Sequence, residues 1–257
     1  MFLTGDYHTH TVYSHGKGSV LDNALKAKER GLKELGITDH GFSHPAFGLR
    51  KNKLESLRKD CDYATKNTGV KVLMGIESNV TSTDGRVDLR PELYDQFDLF
   101  LAGVHKFIAY KFKSVFTMSL PNLFYSTLNS KNVPESLVKS NTRAIINVIK
   151  NNPVDVITHL NFCYFAEPVE IAKAAADYGT YLELNAKKTH LRDEQLFAIS
   201  KTGVKFIIDS DAHSPDRVAE IALVNQLLSR VKIPEERIVN INGKLPDFRF
   251  RAFKEGR

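Results

Sequence analysis

Cysteine is nearly missing from this chain. Its 257 residues carry two, Cys61 and Cys163, and these form no CxxC pair. That excludes a disulfide framework, and reduced thiols are expected. Long apolar runs are also missing. None approaches the roughly 20 residues of a membrane span, so no membrane partner is expected. The opening MFLTGDYHTH lacks the basic start and apolar middle of an export signal, so a cytoplasmic location is expected. A basic stripe is absent too. The formal charge of +6 favours anionic partners, but the lysines are spread along the chain. Nucleic acid is therefore compatible with the charge without being favoured by it. There is no internal repeat, low-complexity tract or linker, and residues 1–257 are expected to form a single domain of the length common among α/β barrels.

What the chain does have is a rhythm. Apolar strand-like runs fall at 2–7, 35–38, 70–76, 97–104, 154–158, 180–184 and 204–208, with amphipathic helical stretches between most of them. Gly69, Gly179 and Gly203 stop helices, and Pro134 opens one. Continuous apolar strands alternating with helices argue for a parallel sheet covered by helices. Seven of the nine histidines follow such runs: His8, His10, His15, His40, His105, His159 and His213. Glu77 and Asp211 do the same. Candidate ligands thus follow six of seven strands. An open sheet gathers ligands at one switch point, whereas a closed ring of carboxyl ends accommodates all of them. The expected fold is an α/β, (β/α) barrel of about seven units with its site on the C-terminal rim of the strands. Residues 106–152 make a long connection, expected to be either a lid over the site or a packed helical insertion.

In His8-Thr9-His10, strand alternation points both imidazoles the same way. Each residue alone reads as a hydrogen-bonded structural group, but nine at equivalent strand ends read as a metal centre. A catalytic ion takes about three protein ligands, so nine serve three divalent ions. Imidazoles and carboxylates without thiolate suit zinc, manganese or iron rather than magnesium. Such a cationic site attracts phosphate, and clustered ions favour in-line displacement at phosphorus. Hydrolysis of a small anionic phosphate ester is the expected chemistry. His44 precedes Pro45 and fits a solvated loop better than a substrate contact, and His190 is not expected to be a ligand.

The motifs DYHTHTVYSH (6–15), GLKELGITDHG (31–41), GIESNV (75–80), AGVHK (102–106), ITHLN (157–161) and DSDAHSP (209–215) together resemble the PHP (polymerase and histidinol phosphatase) family. The likeness runs along nearly the whole chain and is greatest to the stand-alone YcdX-like phosphoesterases. The resemblance implies a distorted seven-stranded barrel and a trinuclear site. By it, one ion would lie on His8, His10, Glu77 and Asp211, a second on His15, His40 and His213, and a third on Glu77, His105 and His159. A metal-bridging hydroxide would attack phosphorus, with Glu77, Asp211 and His213 as catalytic residues; Lys106, Lys187 and Arg217, just beyond three strand ends, read either as phosphate contacts or as solvated cations. The segment after His105 and the triplet His159-Leu160-Asn161 depart from the family pattern, which leaves the substrate open. A phosphate monoester is the leading expectation. The alternatives are histidinol phosphate, a DNA 3′ end, and a non-catalytic metal-binding assembly module.

Overall fold

The computed structural model describes residues 1–256. All seven apolar runs are strands: β1 (Gly5–Thr9), β2 (Glu34–Ile37), β3 (Lys71–Asn79), β4 (Leu99–Gly103), β5 (Val156–Ile157), β6 (Tyr181–Asn185) and β7 (Phe206–Asp209). They pair in parallel and in chain order, β1 through β7. Helices α1 (Val20–Glu29), α2 (Leu54–Thr68), α3 (Phe112–Ser114), α4 (Leu120–Thr127), α5 (Glu135–Asn151), α6 (Pro168–Tyr178), α7 (Asp193–Ser200), α8 (Ala222–Arg230) and α9 (Arg249–Glu255) complete the layers. A capping box joins Ser19 and Asp22 at the start of α1. Gly69 and Gly179 end α2 and α6 with φ of 79° and 71°, a left-handed conformation glycine adopts at no steric cost.

Alternation along the strands separates two cores. Leu35, Met74, Ile76, Phe100, Ile157, Leu182, Leu184 and Ile208 point out against the helices. Tyr7, Leu73, Leu99, Leu101, Val156, Tyr181 and Ile207 fill the barrel below the rim. Strand β1 breaks the alternation once. Asp6 faces Leu35 but Thr9 faces Ile37, so β1 carries one extra residue against β2. Tyr7 and His8 consequently both turn inward. A bulge of this kind re-aims the side chains that follow it.

The barrel closes at a seam rather than a full ladder. Near the rim, His10 N–H donates to the Ala212 carbonyl at 2.8 Å. Lower down, Asn240 bridges the gap. Its amide donates to the carbonyls of Gly5 (2.9 Å) and Ile208 (2.7 Å) and accepts from Ile208 N–H at 3.0 Å. No helix among the described residues is long and apolar enough to cross a membrane.

The 106–152 connection divides in two. Its second half, α5, packs on α6 as an ordinary crossover helix. The excess is 106–134, where α3, a π-helical turn at Val115–Ser119 and α4 run on as one helix.

Candidate metal centre

The inward alternation continues upward from the apolar plug to the rim. Glu77 and Asn79 on β3, Thr158 after β5, and Glu183 and Asn185 on β6 are all buried. Glu77 is the centre of the arrangement. Its Oε1 lies 2.7 Å from His159 Nε2 and 3.2 Å from His105 Nε2, and accepts a hydrogen bond from the Thr158 hydroxyl at 2.9 Å. Its Oε2 lies 2.8 Å from His40 Nδ1 and 3.3 Å from His8 Nε2. Asp211 Oδ1 forms the second focus, 3.4 Å from His10 Nε2 and 3.2 Å from His213 Nδ1.

Among the described residues, four groups hold ligand atoms close enough to share an ion: His10, His40 and His213; His8, His10 and Asp211; His8, Glu77 and His159; His40, Glu77 and His105. Eight of the nine expected ligands are in them. His15 belongs to none. Its ring instead stacks on His40 at 4.8 Å and sits 4.3 Å from His213. The group holding His40 and His213 therefore takes His10 where the family resemblance put His15.

Several features test whether these donors suit metal. His8 Nε2 and His10 Nε2 face each other at 3.1 Å. Buried Glu77 Oε2, His40 Nδ1 and His105 Nε2 find no properly directed hydrogen bond, although buried polar atoms are nearly always paired. Convergent lone pairs without donors are what a cation satisfies. Electrostatics favour the ligand forms of Glu77, Asp211, His10 and His15, whereas Glu77, Glu183 and Asp211 overcome burial and raise His8. Burial would raise the Glu77 carboxyl, but His105, His8 and His159 outweigh it and hold it well below the usual carboxylate range. Burial opposes Asp211 likewise, and His8 and hydrogen bonds from His10 and His213 hold it low. Burial and neighbouring imidazoles keep His10 neutral and push His15 down to about 4.

A ring of residues behind the ligands fixes them. Glu183 accepts from His8 Nδ1 at 2.6 Å and from the backbone N–H of His159 at 2.5 Å. Asn79 Oδ1 lies 2.8 Å from His105 Nδ1. Asp39 gathers Thr11 N–H (2.7 Å), the Thr11 hydroxyl (2.6 Å) and the Ser14 hydroxyl (2.5 Å), which folds the loop carrying His15 over the rim. His159 and Asp211 have φ of 28° and 49°. Such backbone costs about 1–3 kcal/mol per residue and concentrates at functional sites.

A cavity of about 390 Å³ opens above the centre. His15, His40, His105, His159, Asp211 and His213 form its floor, and Phe47, Phe107 and Phe162 its apolar side. Of the expected phosphate contacts, Lys106 and Lys187 line it. Lys187 Nζ lies 3.3 Å from Asp211 Oδ1 and 3.1 Å from His213 Nδ1. Arg217 does not line the cavity. It stands exposed on the turn Pro215–Arg217. His44 and His190, set aside on sequence grounds, both line the cavity, as does Lys188. Burial pushes His190 down to about 4, helped by His159 and Lys188. Glu183 and Asn79 were missed. The available signal was Glu183-Leu184-Asn185, polar groups two apart in a buried strand, the same spacing as His8 and His10.

Comparison with known proteins bears on the family and the fold. A probable phosphatase of Caldanaerobacter subterraneus subsp. tengcongensis is 29% identical over 254 residues, covering 93% of this chain and 87% of that protein. One from Shewanella sediminis is 30% identical over 248 residues, covering 91% and 88%. The fold matches histidinol phosphate phosphatase from Lactococcus lactis subsp. lactis, solved with zinc, L-histidinol and phosphate. That match has a TM-score of 0.60 at 18% identity, covering 90% of this chain and 94% of that one. The family model for the PHP domain matches residues 6–211. With that span running from the first histidine pair to the Asp211 focus, the chain belongs to the PHP domain family.

Proposed function

We propose that the protein is a metal-dependent phosphatase that hydrolyses phosphate monoesters at a trinuclear centre. The observation that carries this reading is Glu77, a buried carboxylate with imidazoles against both oxygens. His8, His10, His40 and Glu77 each belong to two of the four ligand groups, which suits several ions sharing ligands. Zinc, manganese or iron fits the imidazole-rich set. Bound divalent ions would supply Lewis acidity and lower the pKa of a coordinated water. The relatives named probable phosphatases support the same reaction, and the two free thiols suit a cytoplasmic setting.

The chain's own groups divide the remaining work. Lys106 and Lys187 hold the phosphoryl oxygens, while Phe47, Phe107 and Phe162 receive the organic group and exclude water. Glu183 keeps the His8 ring in the tautomer that offers Nε2 to the centre. The cavity bears on the substrate as well. Its lining carboxylate, Asp211, is engaged by His10, His213 and Lys187, which leaves no free acid for an ammonium group. This favours uncharged or aromatic leaving groups over an aminoalkyl one such as histidinol.

The test is metal analysis of the purified protein together with turnover on aryl and alkyl monoesters, L-histidinol phosphate and a labelled 3′ DNA end. About three transition-metal equivalents with release of phosphate from monoesters is the expected result. Release from the DNA end alone would overturn the substrate class. No turnover with full metal occupancy would favour a binding module.

A further inference from the structure

The helix that follows β4 presents a surface with no part in the metal centre. Phe112, Phe116, Leu120, Phe124 and Leu128 recur at every fourth position, and all five are exposed, Phe112 at 83% and Leu128 at 78%. Phe107, at the cavity mouth, is 69% exposed. In a regular α-helix a four-residue spacing drifts by roughly 40° per step, which would carry such a stripe around to the buried side. Here the π-helical turn at Val115–Ser119 intervenes. Its wider turn rotates the stripe back and keeps it on one face. The opposite face is committed to the barrel. Met118 and Asn122 are buried, and Asn122 and Asn141 of α5 exchange amide hydrogen bonds of 2.9 and 2.8 Å.

Charge identifies the kind of partner. No acidic residue occurs between Asp98 and Glu135, whereas Lys106, Lys111, Lys113 and Lys131 do. Lys111 also lines a second cavity, of about 650 Å³, with Lys51, Arg86 and Arg90. Asp84 pairs with Arg86 at 3.0 Å, and Glu92 lies 3.9 Å from Arg90. The acid in that lining, Asp88, is taken up by the Ser43 N–H, the Ser78 hydroxyl and the Asn79 N–H at 2.6–2.8 Å. An apolar face with a cationic rim has the character of an interfacial helix. A second copy of the chain would set this acid-free rim against itself, which like charge opposes.

We propose that the helix spanning Phe112–Thr127 docks the protein on an anionic lipid bilayer surface. Its five-residue stripe enters the boundary between headgroups and acyl chains, and Lys111 and Lys113 meet the headgroups. On this proposal the chain lies on the bilayer surface without crossing it.

The test is co-sedimentation with vesicles of phosphatidylcholine alone and of equimolar phosphatidylcholine and phosphatidylserine. It needs neither metal nor substrate, so its outcome is separate from the phosphatase reading. The wild type should partition onto the anionic vesicles. F116E/F124E should lose at least about tenfold in partition, with unchanged melting temperature and unchanged hydrolysis of a monoester in solution. K111Q and K113Q should each lose about fivefold on anionic vesicles only. F197E, at an exposed aromatic on α7, should bind as the wild type does. Failure of the wild type to partition, or equal partition by F116E/F124E, would overturn the proposal. So would a wild-type dimer in sedimentation velocity that F116E/F124E dissociates, since the face would then be a contact between copies.

Discussion

At the scale of single residues, the proposed roles of Glu77 and Glu183 divide the site into what binds and what positions. Glu77→Gln replaces a carboxylate set against four imidazoles, and turnover should fall by at least about a hundredfold. That exceeds the 10–100-fold typical of a residue behind a ligand, and metal analysis should show a loss of bound ions. Full occupancy with normal turnover in this variant would remove Glu77 from the bridging role. Glu183→Gln should fall within that 10–100-fold range, seen as weaker metal affinity in a chelator competition with the fold intact. An effect on melting temperature alone would make Glu183 merely structural. The candidate ligands were legible as a set, because nine such groups follow apolar runs, although each alone reads as a hydrogen-bonded structural residue. Glu183 was not, because a single acid in a buried strand also reads as an ion-pair partner. His44 and His190 were set aside on local context, since only the folded loops bring them to the cavity.

At the scale of elements, the β1 bulge and the Asn240 seam decide whether the ligands meet. Periodicity located all seven strands, and helix-stopping glycines located their neighbours. An extra residue between Asp6 and Thr9 leaves no mark in an apolar run, and Asn240 follows the last strand in what reads as a tail. Asn240→Ala would strip partners from Gly5, from both polar groups of Ile208, and so from both edges of the seam. Unpaired buried groups cost about 1–3 kcal/mol each. A loss of roughly 3 kcal/mol is expected in urea titration, and a change below about 1 kcal/mol would mean that water takes over the bridge. Asp155 anchors α9 by accepting from Phe250 N–H at 2.7 Å and ties it to β4 through Phe100 N–H at 2.9 Å. Burial raises its carboxyl from 3.8 to about 7. The folded state then holds a proton that the unfolded chain has released, so this group's contribution falls as pH rises from 3.8 to about 7. Asp155→Asn should flatten that slope in the chelated protein, and urea midpoints across the window would show it. An unchanged slope would place the proton elsewhere.

At the scale of the whole molecule, the metal centre and the hydrophobic core are separable. The barrel plug and the outer core lie below and around the rim, so chelation should leave the fold standing. Each ion bound at about 100 times its dissociation constant contributes about 2.7 kcal/mol. For a chain of this size, removing each such contribution lowers the melting temperature by roughly 5–10 °C. Collapse of the circular dichroism spectrum on chelation would instead make the ions part of the core. The order of the chain adds a constraint in time. His8 and Asp211 stand on the two sides of the seam, about 200 residues apart. During synthesis at about 5–20 residues per second, the first histidine pair waits roughly 10–40 s for its acidic partner to leave the ribosome. On the proposed reading, metal capture at the complete centre would be a late event of biogenesis, and until then the nascent chain would carry only part of its ligand set.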